Sequence, residues 1–228
     1  MINNFIKAAL FNFFLLYSFQ VYSNEITNRP AHHLADGTYA NTSGVAYESS
    51  FNKLLKWSWE RRSKNLETFE FEVEIPNYKE IYENENILIT WIGHESFLYQ
   101  NKDINVLTDP HFTQRASPLN FAGPKRYMAP GMKIDDLPNI DLVTISHSHY
   151  DHLDYTSVKL LSEKFENILF LVPLGLKKWF ESKGIYNVRE LDWWDSITIK
   201  ETLITFAPVQ HWSARGLFDR NETLWGAW

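Results

Sequence analysis

Cysteine is absent from all 228 residues. That excludes a disulfide framework and any thiolate metal site, so a metal could be held only by His, Asp or Glu. No block of Lys and Arg occurs, and the formal net charge is −6. Together these argue against a nucleic-acid backbone as partner. No apolar run reaches the roughly 20 residues a membrane span requires. The longest, Ala8 to Phe19, follows Lys7, the only charge before Glu25. It suits the core of a signal peptide over 1–23, with Val21-Tyr22-Ser23 at the cleavage site. An exported chain is therefore expected, and with no Cys at the cleavage site a bacterial lipoprotein is not expected. Internal repeats and low-complexity tracts are also lacking.

The chain is 44% hydrophobic and 16% aromatic, ample for one domain with a substantial core. Residues 24–49 are polar and read as an extended arm in which His32 and His33 are solvated. A helix-like pattern covers 51–66, so 24–86 reads as an N-terminal arm and helix. From Ile87 the pattern becomes α/β, and 87–228 reads as the main domain. Short β-rich runs at 87–92, 96–100 and 104–108 look like a meander. A long loop, Pro110 to Asp136, follows, and loops of that length are usually functional. Strands are then expected at 142–146, 168–172, 188–191, 196–200 and 203–207. Helices are expected at 155–165, with Asp154 as N-cap, and at 176–182, closed by Gly184.

Residues 147–152 read His-Ser-His-Tyr-Asp-His. Side chains two apart in an extended segment point the same way, so His147 and His149 can reach one ion. Asp151 and His152 follow the turn into the helix and can face a second. His211, after a strand and Pro208, is a fifth candidate ligand. Neutral imidazole and carboxylate are the ligands zinc takes when thiolates are lacking.

This HxHxDH cluster after a β-rich meander resembles the metallo-β-lactamase superfamily. The surrounding motifs resemble more narrowly the N-acyl-phosphatidylethanolamine-hydrolysing phospholipase D family. They include Thr108-Asp109-Pro110, Gly123-Pro124-Lys125-Arg126, Val172-Pro173-Leu174-Gly175, Leu191-Asp192-Trp193-Trp194, Gln210-His211-Trp212-Ser213 and Leu224-Trp225-Gly226. The resemblance runs from about Trp91 to Trp228.

It implies an αββα sandwich with two Zn2+ at one edge, one on His147, His149 and His211 and the other on Asp151 and His152. Asp151 and His152 would be catalytic through a water activated at the ions, and Asp109 would orient a ligand histidine. Lys125 and Arg126 would hold substrate phosphate. The implied substrate is a phospholipid phosphodiester, with peripheral membrane contact possible. A lactonase on the same fold and an inactive metal-binding product are the competing readings. The family adds a bridging Asp and a last His downstream of the position matched by Trp228. The resemblance therefore implies a sandwich whose C-terminal part is missing, with 224–228 left as an exposed apolar strand start.

Overall fold

The computed structural model describes residues 29–44, 56, 59–60, 77–83 and 86–228. The expected signal segment 1–23 lies outside the described residues, as does most of the expected helix over 51–66, of which 56, 59 and 60 are helical.

Helix α1 (Tyr78–Glu83) precedes strands β1 (Leu88–Gly93), β2 (Ser96–Gln100) and β3 (Asn105–Thr108). The loop from Pro110 ends in a 3-10 turn, Ile134–Asp136, ahead of β4 (Leu142–Thr144). Then come α2 (Tyr155–Lys164), β5 (Leu169–Pro173), α3 (Lys177–Ser182), β6 (Val188–Leu191), β7 (Ser196–Ile199) and β8 (Thr202–Thr205). Strands β1 to β6 form one sheet in sequence order, and β7 and β8 pair separately. The sheet is antiparallel through β1, β2 and β3 and parallel from β3 to β6.

Alternation along the strands divides the core between two faces. Leu107, Val143, Ile145, Phe170 and Val172 pack with Val158, Leu161 and Phe165 of the α2 region and Phe180 of α3. Val106, Leu142 and Leu171 point the other way, onto Ile204, Phe206, Trp193, Leu224 and Trp225. A parallel strand covered on both faces needs apolar residues at consecutive positions, and β4 is buried throughout. Among the described residues, helices cover one face and the β7–β8 hairpin with residues 224–228 covers the other. No described helix is long and apolar enough to cross a membrane.

Element boundaries differ from the sequence reading by one or two residues. The strand expected at 142–146 stops at Thr144, although Ile145 N–H still donates to Leu171 O (3.0 Å). Two expectations are overturned. Residues 224–228 do not form an exposed strand: Trp225 is 1% exposed, Trp228 stacks on Phe206, and Trp228 Nε1 donates to Ile145 O. The close approach needs Gly226, because a Cβ there would lie 2.4 Å from the Phe206 ring.

The histidines of the arm are not solvated either. His32 is buried, and the Nε2 atoms of His32 and His33 lie 2.6 and 2.8 Å from the two Asp192 carboxylate oxygens. The His32 ring also packs on Trp193. Burying a polar ring is tolerable when a carboxylate takes its N–H.

Candidate metal centre

The C-terminal ends of β3 and β4 lie side by side and deliver Asp109 and the 146–152 segment to one edge of the sheet. Ligand sites of parallel sheets form at such edges. Asp109 adopts φ 37, an uncommon conformation for a side-chain-bearing residue. Its carboxylate accepts from Ser146 N (2.6 Å), Ser146 Oγ (2.6 Å) and His152 Nδ1 (2.9 Å).

These contacts set the histidine tautomers. A carboxylate can only accept, so the Ser146 hydroxyl proton points to Asp109. Ser146 Oγ, 2.9 Å from His147 Nδ1, must then accept from that nitrogen. His147 Nε2 is left with its lone pair, as is His152 Nε2 by the same argument. A ligating histidine whose other nitrogen donates to an outer partner is the usual design of a metal site.

His147 Nε2 lies 2.7 Å from His149 Nδ1 and 3.0 Å from His211 Nε2. All three donor atoms fall within 4.8 Å of one another. Burial, followed by the neighbouring histidines, drives the His147 pKa far below its ordinary value. Burial likewise lowers His149, to about 4, and depresses His211. Three neutral imidazoles converging through His147 Nε2, His149 Nδ1 and His211 Nε2 fit a cation of the zinc type.

Beside this triad, Asp151 Oδ2 lies 3.7 Å from His152 Nε2 and 3.0 Å from His94 Nε2. These three residues form a second donor group within 4.8 Å. The His147 and His152 rings are 4.1 Å apart, so the two groups adjoin. Burial pulls the His152 pKa down, yet the Asp109 hydrogen bond and nearby carboxylates outweigh it and leave the pKa raised. Burial pushes Asp151 up, and His152 and His94 bring it below the usual carboxylate value.

The structure thus gathers His147, His149, Asp151, His152, His211 and Asp109 into one site. Lys125 and Arg126 line an adjoining cleft of about 330 Å³ that also holds Trp91, His94, Tyr127 and Asp151. Lys125 is exposed. The Arg126 guanidinium is engaged with backbone, donating to Met128 O, His111 O and Thr113 O at 2.8, 2.7 and 3.3 Å.

Sequence reasoning missed several supports. Arg215 donates to Ser148 O (2.8 Å) and Leu153 O (2.7 Å) and stacks on Tyr150, so it pins both ends of the ligand loop. The Asn41 side chain accepts from His211 N and donates to His211 O. His94 lies in the Gly93-His94-Glu95 turn, which reads in sequence only as punctuation between strands. Its one available signal is a histidine where a turn more often takes Gly, Asn or Asp.

Comparison with known proteins agrees with this geometry. A family model described as "Beta-lactamase superfamily domain" matches residues 104–228. The chain belongs to the metallo-β-lactamase superfamily. It is 40% identical over 158 residues to N-acyl-phosphatidylethanolamine-hydrolyzing phospholipase D 1 of Caenorhabditis elegans, covering 65% of this chain and 44% of that protein. It is 35% identical over 162 residues to the mitochondrial N-acyl-phosphatidylethanolamine-hydrolyzing phospholipase D of Saccharomyces cerevisiae, covering 68% and 34%. A UPF0173 metal-dependent hydrolase of Solibacter usitatus is 29% identical over 139 residues, covering 60% of this chain and 53% of that one. The matched segment therefore spans less than half the length of either phospholipase D.

Proposed function

We propose that this superfamily member is a zinc-dependent phosphodiesterase of phospholipase D type, acting on N-acyl-phosphatidylethanolamine-like lipids. The observation that carries the metal-dependent reading is the pair of adjoining donor groups, in which His147 and His152 are each held in ligating form by an outer hydrogen bond. The printed activity of the two phospholipase D relatives supports the substrate class. In the complete αββα sandwich, His147, His149 and His211 would hold one ion, and Asp151 and His152 would hold the other. Two bound zinc ions would supply Lewis acidity and lower the pKa of a water enough for it to attack phosphorus at neutral pH.

The chain's own residues position the rest. Asp109 keeps the Nδ1 proton on His152 and, through Ser146, on His147, so both Nε2 lone pairs face inward. The 211 backbone is fixed by Asn41. Lys125 offers its ammonium to a phosphate oxygen at the cleft. The exposed rings of Trp91 and Tyr127 offer apolar surface beside it, suited to the glycerol and acyl portions of a lipid. Export by the 1–23 segment would bring the site to a lipid surface outside the cytoplasm.

The test is release of N-acylethanolamine from N-acyl-phosphatidylethanolamine in mixed micelles by the zinc-loaded chain, run beside a panel of lactones. Phosphodiester turnover is expected. His149→Ala should lower it by more than about 100-fold, beyond the 10- to 100-fold typical of losing an outer-shell partner. Lactone turnover without phosphodiester turnover would replace this reading with the lactonase one, and metal uptake without any turnover would make the chain a binding product.

A further inference from the structure

We propose that Asp192, His32 and His33 form a latch that positions the metal ligand His211, acting through Asn41 of the same arm. The inference rests on the metal-centre half of the proposed function and is independent of the substrate. The trio stands outside both donor groups of the metal centre.

Asp192 follows β6 at the sheet edge that also carries the 146–152 segment, so it is a fixed point for the arm. Its two oxygens are divided between the rings. His32 Nε2–H donates to Oδ1 (2.6 Å) and His33 Nε2–H donates to Oδ2 (2.8 Å). Trp193 N–H donates to Oδ1 as well (2.8 Å). Burial raises the Asp192 pKa, and these hydrogen bonds outweigh it and leave the carboxylate below its ordinary value. Hydrogen bonds to an ionised acceptor are about twice as strong as neutral ones. Two of them, diverging from adjacent residues, fix both the position and the direction of the arm.

From the latch the arm folds back on itself. Ala40 N–H donates to His32 O and Leu34 N–H to Thr38 O, both at 2.9 Å, around Gly37 at φ 86. This turn sets Asn41 at a fixed offset from His32. Asn41 accepts from His211 N (3.1 Å) and donates to His211 O (2.9 Å). A second route runs through the rings. His32 packs on Trp193 with centroids 4.3 Å apart, Trp193 Nε1 donates to Trp225 O (2.5 Å), and Trp225 Nε1 donates to the Asn41 side-chain oxygen (3.1 Å). Asn41 is thus held along the chain and across it while it holds His211. Outer partners of a ligand histidine tune metal affinity, and here the partner grips the backbone of the ligand.

The experiment compares the full metal-free chain with His32→Phe/His33→Phe. That variant keeps rings to pack on Trp193 and Tyr39 and loses both N–H donors. Deuterium exchange read by mass spectrometry follows the His211 amide, and a cobalt(II) titration read by visible absorption follows the first ion. Exchange at His211 should quicken by about 10-fold or more, the scale of one hydrogen bond to a charged group, with exchange over α2 unchanged. Affinity for the first ion should fall about 10- to 100-fold. In an Asn41→Ala background the ring substitutions should change that affinity by less than about twofold, because residues acting through one contact are not additive. Unchanged exchange at His211 would overturn the proposal. So would an undiminished effect in the Asn41→Ala background, which is the mark of general destabilisation. Uptake of a further ion that the ring substitutions abolish would also overturn it, by making His32, His33 and Asp192 ligands themselves. If the double variant does not fold, Asp192→Asn, which offers the two rings one oxygen in place of two, should show the same pattern at smaller size. A chain that takes up no cobalt while its His211 exchange responds as expected sinks the metal-centre reading and leaves the latch. Cobalt uptake indifferent to the ring substitutions sinks the latch alone.

Discussion

Asp109 carries three donors on one carboxylate, and each has a consequence for a ligand. In Asp109→Asn the amide NH2 would face an N–H or O–H in place of accepting from it, and the His152 tautomer would no longer be dictated. Metal affinity at the second position should fall about 10- to 100-fold, as for other outer-shell losses, with the helical circular dichroism signal retained. A zinc competition titration measures this. At the residue level the sequence was informative where chemistry is crowded into a motif. Four donors within 147–152 announce a metal, and the strand-loop setting of His211 adds another. His94, Asn41 and Arg215 work through contacts 57, 170 and 62 residues away, respectively. Apart from the unusual histidine in the β1–β2 turn, nothing local distinguishes such residues from ordinary turn and surface positions. The same limit accounts for His32 and His33, whose carboxylate partner stands 160 and 159 residues off, respectively.

Helix α2 connects the ligand loop to the sheet. Asp154 accepts from Ser157 N (3.3 Å) and from the Ser157 hydroxyl, whose oxygen in turn accepts from Phe112 N (2.8 Å). One cap thus orders both the start of the helix and the entry to the long loop. Asp154→Ala should destabilise the fold by about 1 kcal/mol, up to about 2 because the site is buried, read as a lower urea midpoint with unchanged slope. The cap was visible in the sequence, as were the faces of α2, because Val158, Leu161 and Phe165 recur at helical spacing. Strands β4 and β5 were visible as continuous apolar runs. Their ends were not, since hydrogen bonding to a neighbouring strand, rather than side-chain type, decides where a ladder stops. The long loop gave no sign that it is stitched by a bridge between Arg115 and Lys125, a pairing between residues whose spacing has no periodic signature.

For the whole molecule, the cluster of depressed histidines makes stability depend on pH. Imidazoles in an unfolded chain titrate near 6.5. In the fold, His149 titrates at about 4, and burial also lowers His147, His211 and His111. Below pH 6.5 the unfolded chain therefore binds more protons than the folded one, and acidification favours unfolding. His152, raised, acts in the opposite sense: its contribution is full below 6.5 and is lost as pH rises through its folded value. Four groups against one set the direction. The melting temperature of the metal-free chain should fall from pH 7.5 to pH 5, as scanning fluorimetry would record. The α/β class could be read from patterning, and the layered sandwich only through the family resemblance. The docking of the 29–44 arm could not, because it depends on single polar contacts spread over the whole chain.

The grip of Asn41 on both backbone groups of His211 gives metal capture a place in time. Contacts between residues 170 apart close long loops and tend to form late. Two imidazoles of the first triad sit on one short segment and are ready as soon as β4 is in place. The third has both backbone groups held by Asn41 of the 29–44 arm. Tight uptake of the first ion is therefore expected to follow docking of the arm, and metal-indicator fluorescence during refolding would show uptake lagging behind sheet formation.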